Sequence, residues 1–99
     1  MSANLLARYR AKATLWHERL LLPAAVALNF LGDCEQEEIR LLGCEAFEAT
    51  HDGSIRSLPE DGLDVSGKDY WDYSVAELCD VFRDHIRTRS RMLFEFELP

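Results

Sequence analysis

The feature that most constrains this chain lies near its end. In Met92-Leu93-Phe94-Glu95-Phe96-Glu97-Leu98, Met92, Phe94, Phe96 and Leu98 fall on one side of an extended backbone, and Glu95 and Glu97 fall on the other. That alternation is the mark of a strand with one buried face. A single strand is not stable in water, so residues 92–98 must pair with something upstream or with a second copy of the chain.

The segment just before it reads as a helix over about 74–90. Ser74-Val75-Ala76-Glu77 is a capping box, with Ser74 accepting from the Glu77 N–H and Glu77 reaching back. Tyr73 and Leu78 have the spacing of a hydrophobic staple. Val75, Leu78, Cys79, Phe82 and Ile86 share a face, and Asp80–Arg83 and Asp84–Arg87 form i,i+3 pairs elsewhere. Arg87, Arg89 and Arg91 suit the negative end of the helix dipole. A second helix is expected over about 4–20. Ser2 or Asn4 can cap it, and Leu5, Tyr9, Ala13, Trp16 and Leu20 recur at three- or four-residue steps. Arg8, Lys12 and Arg19 form a basic stripe on that helix, either solvated or paired with acidic residues of the chain itself.

The middle is open to two readings. Residues 24–31 suit a strand through Val26, Leu28 and Phe30, or a short helix with Pro23 first and Gly32 after its end. His51-Asp52-Gly53-Ser54 reads as a tight turn joining a strand that ends near Thr50 to another over 54–58, stopped by Pro59. Against this, Ile39, Leu42, Gly43, Ala46 and Phe47 form a helical stripe, and Asp33 and Gln36 have cap spacing. Because the terminal strand needs partners, the favoured fold is α+β. In it, helices at about 4–20 and 74–90 pack on a small antiparallel sheet drawn from parts of 24–58 and 92–98. A mostly α fold with 34–50 helical is the alternative.

Length and charge narrow the function. The 99 residues suit a single compact domain spanning 1–99. Such a chain buries roughly 60–70% of the surface its unfolded form exposes, enough for a core without disulfides or metal. The net charge of −7 argues against broad binding to nucleic acid or anionic membranes. Charge is also uneven: residues 21–80 carry fourteen acidic and three basic side chains, whereas residues 1–20 carry four basic and one acidic. Cys34, Cys44 and Cys79 are an odd number with no C-x-x-C, which fits a reducing cytoplasmic setting. Leu20–Leu31 superficially copies a secretory signal, but its 12 residues contain Pro23 and Asn29 and no A-x-A pattern follows.

Catalytic and cofactor signals are weak. His17, His51 or His85 could pair with a cysteine, but Cys79 and Cys44 sit among core residues as small hydrophobes. No two His or Cys residues have zinc-site spacing, and residues 60–69 lack the ligand pattern of a calcium loop. Gly67-Lys68 is followed by Asp69 where a P-loop has Ser or Thr. No cofactor, no metal and no enzymatic role are expected.

The most informative stretch is residues 60–73. Glu60, Asp61, Asp64, Asp69 and Asp72 are interleaved with Tyr70, Trp71 and Tyr73. Aromatic residues dominate interface hot spots, and carboxylates around them steer a basic partner. The expected partner-binding residues are Glu60, Asp61, Asp64, Asp69, Tyr70, Trp71 and Asp72, although an ordinary solvated loop has the same composition. The expected function is a small acidic protein-binding module, most concretely an inhibitor or immunity-type protein neutralising a basic nuclease or toxin. The alternatives are a homodimer or assembly subunit pairing through its terminal strand, and a small enzyme of unknown substrate.

Overall fold

The computed structural model describes residues 2–67 and 72–99, with side chains from Leu5 onward. In chain order the elements are α1 (Ser2–Tyr9), β1 (Thr14–Trp16), β2 (Arg19–Pro23), α2 (Ala24–Gln36), β3 (Gly43–Ala49), β4 (Ile55–Ser57), β5 (Leu63–Asp64), α3 (Val75–Arg87) and β6 (Leu93–Glu97). Three helices pack on a six-stranded antiparallel sheet of order β1-β2-β6-β3-β4, with β5 also paired to β3. The α+β expectation stands. Its alternative, a helical 34–50, is overturned by β3.

β6 is the centre of the sheet. Phe94 lies opposite Leu22 on one side and Ala46 on the other, and Phe96 lies opposite Cys44. These side chains face α2 and α3, where Phe30 stacks on Phe96 and Phe82 meets it edge-on. The resulting core also takes in Leu5, Tyr9, Ala27, Leu31, Leu78 and Ile86. Its wholly buried phenylalanines each contribute roughly 2–3 kcal/mol by leaving water. Leu5 and Tyr9 of α1, Phe30 of α2 and Phe82 of α3 share one core cluster with Phe94 and Phe96, so the described helices all lie on one face of the sheet.

Helix α3 forms as its sequence dictates. Ser74 Oγ accepts from the Glu77 N–H at 3.1 Å, and Glu77 accepts from the Ser74 N–H at 3.0 Å. Arg83 meets both Asp80 and Glu35, tying α3 to α2.

The expected helix over 4–20 is much shorter. After Tyr9 a 3-10 turn runs to Lys12, and residues 14–23 form the β1–β2 hairpin. The stripe Leu5, Tyr9, Ala13, Trp16, Leu20 fits a helical period, but Leu20-Leu21-Leu22 is also a strand buried on both faces. Pairing of Leu22 and Pro23 with β6 decides the matter. The hairpin turns on His17 and Glu18, both with positive φ (49° and 64°). This backbone is normally reserved for Asn-Gly, so nothing in residues 16–19 signals a turn. The basic stripe is split accordingly, with Arg8 paired to Glu37 and Arg19 to Glu45 and Glu95.

Residues 24–31 take the helical option, but α2 runs on through Gly32 to Gln36. Asp33 is therefore near the end of a helix and not the cap of a new one. The helix closes through Ile39 N–H to Cys34 C=O and Glu38 N–H to Glu35 C=O, with Glu38 at φ 55°. That is a Schellman closure with glutamate where glycine is usual. The turn after β3 matches expectation: Gly53 has φ 87°, Thr50 N–H donates to Ser54 C=O, and Asp52 accepts from the Ser54 N–H.

Candidate functional site

Cross-strand register determines what occupies the uncovered sheet face. Glu45 lies opposite Glu95, and Gly43 lies opposite Glu97 on one side and Asp64 on the other. Phe47 and Leu21 point the same way, and both are wholly buried although neither belongs to the helix-side core. Like charges directly opposite on adjacent strands repel. Arg19 resolves this conflict: its Nε donates to Glu95 at 3.0 and 3.1 Å, and its Nη2 donates to both Glu95 and Glu45.

The Arg19 guanidinium also lies 4.9 Å from the Phe47 ring centroid and 5.8 Å from that of Trp16, and Trp16 meets Phe47 edge-on at 5.5 Å. Hydrogen bonding to Glu95, joined by that to Glu45, holds this guanidinium protonated beyond its ordinary range. One cation, two carboxylates and two aromatic rings thus form a single cluster. Sequence reasoning did not join Arg19, Glu45, Glu95, Trp16 and Phe47 into one site. A usable signal was present: glutamates on the polar side of a central strand need a cation, and Arg19 leads directly into the leucine run.

Beside this cluster, at the Gly43 row, is an open cleft of about 400 Å³ lined in part by Glu45, Ser57, Leu63, Asp64 and Glu97. Gly62 also lines it, where a Cβ would come within 3.1 Å of the Cys44 carbonyl oxygen. Among the described residues neither Asp64 nor Glu97 has a cation partner. Asp64 accepts from the Ser66 hydroxyl (2.6 Å) and N–H (3.0 Å), which lowers its pKa and keeps it ionised.

The residues expected to bind a partner are not equivalent. Asp64 is exposed and belongs to the uncovered face. Glu60 is exposed on the 3-10 turn Pro59–Asp61, and Asp72 is exposed ahead of α3. Asp61 is occupied: Arg89 donates to it from Nε at 3.0 Å, tying that turn to the segment after α3. Asp69, Tyr70 and Trp71 lie outside the described residues. Tyr73 packs against the core.

Nucleophile chemistry finds little support. Burial pushes the thiols of Cys34 and Cys44 up to about 12 and that of Cys79 up to about 11, so none is a thiolate near neutral pH. His85 sits edge-on to Phe94 with its Nε2 buried and unpartnered. Among the described residues no group of three His, Cys, Asp or Glu side chains is arranged to hold a metal ion. No described helix is long and apolar enough to cross a membrane.

β6 pairs with β3 along Leu93–Glu97 and with β2 at Leu93 and Phe94. No protein-family model, no curated protein and no solved structure matches the chain.

Proposed function

We propose that this protein is a small acidic binding module that neutralises a basic protein partner. Its most concrete form is an inhibitor or immunity-type protein that presents carboxylates where a nuclease or toxin would otherwise grip phosphates. The supporting observation is the uneven compensation of charge. On the helical side Glu35, Glu37, Asp80 and Asp84 each meet an arginine. On the uncovered sheet face Asp64 and Glu97 meet none among the described residues, and Glu60 and Asp72 extend the exposed acid beyond it. Unpaired carboxylates on a face containing aromatic groups steer a basic protein and select its orientation. A cytoplasmic setting belongs to the same proposal, supported by three buried, unpaired cysteines. The proposal assigns the chain no catalytic residue.

The test is affinity capture from native extract with identification of the retained protein, followed by titration against salt. Wild type is expected to retain a basic protein whose affinity falls steeply with ionic strength. The triple reversal of Asp64, Asp69 and Asp72 to Lys is expected to release it while the thermal midpoint barely moves. Retention of the same partner by the reversal variant would overturn the proposal.

A further inference from the structure

The β1–β2 hairpin does not lie in the plane of the sheet. Continuing the Leu22–Phe94 and Pro23–Leu93 register places Arg19 level with Glu97, and hence with Gly43 on β3. In a flat sheet, Phe47 would then be two strands across and four residues along from Arg19, a separation of about 16 Å. The reach of the two side chains spans much of that, but Trp16, paired with Arg19 one strand farther out, would be about 20 Å from Phe47 in the same flat sheet. The Trp16 and Phe47 rings are instead 5.5 Å apart, and the Arg19 guanidinium is 4.9 Å from the Phe47 ring. The hairpin therefore leaves the sheet at Leu22 and crosses the face, and Leu21 and Phe47 are both buried on that face. One end is tethered through Tyr9, which donates to Asp33 at 2.5 Å and meets Phe30 edge-on; the other end is tethered at Pro23.

We infer that residues 14–21 form a strap latched by Arg19, and that Glu45, Glu95 and the Phe47 ring are a guanidinium site that a partner's arginine occupies when the strap opens. This rests on the basic-partner reading above. The geometry is specific to guanidinium. Glu95 accepts from two nitrogens of the fork, Glu45 accepts from Nη2, and the cation stacks on a ring, whereas a lysine ammonium offers only a point charge. The site is also open to exchange, since side-chain exposure is 36% for Arg19, 47% for Glu45 and 24% for Glu95. The opposed Glu45–Glu95 pair requires a cation whichever chain supplies it. Exchange would couple recognition of the partner's charge to uncovering of Leu21 and Phe47, apolar surface that the free protein keeps hidden.

The experiment uses the full chain with Trp71→Phe, which leaves Trp16 as the single tryptophan reporter. In that background Arg19→Ala is expected to shift Trp16 emission to the red. It should also speed amide exchange of residues 14–21 by about tenfold or more while α3 keeps its protection. N-acetyl-argininamide at millimolar concentration should reverse both changes saturably, and N-acetyl-lysinamide at equal ionic strength should not. Unchanged exchange in Arg19→Ala, absence of rescue, or equal rescue by the lysine compound would each overturn the inference. If Arg19→Ala fails to fold, Arg19→Lys, which keeps the charge and loses the fork, is read the same way. No partner enters this assay, so failed rescue removes the guanidinium site alone. Failure to capture a basic protein removes the partner reading, and with it the proposed occupant, while the guanidinium site itself is judged by the rescue.

Discussion

The two faces of one sheet do different work, and β6 shows the contrast residue by residue. Phe94 and Phe96 turn toward the helices and are held by aromatic packing that excludes water. Glu95 turns the other way and is held by a half-exposed arginine that also serves Glu45. The first face draws its stability from area removed from water, is insensitive to salt and tolerates no gaps. The second depends on balancing charge in a medium still open to solvent, which makes it weaker, salt-sensitive and exchangeable. A face of the first kind defines a fold. A face of the second kind can exchange an internal contact for an external one.

Substitutions should separate the faces by size of effect. Phe94→Ala, in the covered core, is expected to cost about 3–5 kcal/mol in a denaturant titration. A loss of under 1 kcal/mol would mean the helices do not depend on that packing. Alkaline pH attacks the same face. Cys34, Cys44 and Cys79 have folded-state pKa values raised by burial to about 12, 12 and 11, and Tyr9 is raised as well, first by burial and then by its bond to Asp33. Raised acids stabilise the fold while protonated, so that contribution is complete below about pH 9 and is lost as pH climbs through the folded values. The thermal midpoint should therefore fall steadily from about pH 9 upward. At neutral pH the native thiols should label far more slowly than those of the unfolded chain.

On the uncovered face Arg19→Ala removes the cation between Glu45 and Glu95 and its stacking on two rings. The expected loss is about 1–2 kcal/mol. Adding Glu95→Gln should recover part of it by removing the repulsion. A double mutant no more stable than Arg19→Ala would show that the rings, and not the charges, set the cost. Ser74→Ala, which breaks the α3 cap, should cost about 1 kcal/mol and leave both faces intact. Glu97→Gln, at the open cleft, should change stability by less than about 0.5 kcal/mol. If it stabilised the fold by much more than that, the unpaired carboxylate would be a source of strain relevant to the docking argument.

How far each region was legible follows from how local its causes are. The α3 cap, the Asp52-Gly53 turn and the alternation of β6 are written in adjacent residues, and all three take the form the sequence implies. Residues 4–20 misled because a helical stripe and a short hairpin share the same apolar positions. What decides between them is β6, some seventy residues away. Two turns were invisible because His17, Glu18 and Glu38 occupy backbone that usually signals itself by glycine or asparagine. The acidic stretch at 60–72 contributes Asp64 to the helix-free sheet face, whereas Asp61 is used internally by Arg89. The Arg19 cluster draws on four strands, two of them distant from Arg19 in sequence, and no single motif announces it.

The most direct test of the account is carboxyl footprinting of the protein with and without its captured basic partner, using carbodiimide coupling read by mass spectrometry. The account predicts that Asp64, Glu97 and Glu45 lose labelling in the complex while Asp80 and Asp84 on α3 label as before. Protection of Asp80 and Asp84, with Asp64 and Glu97 still open to the reagent, would place the partner on the helical side and contradict it.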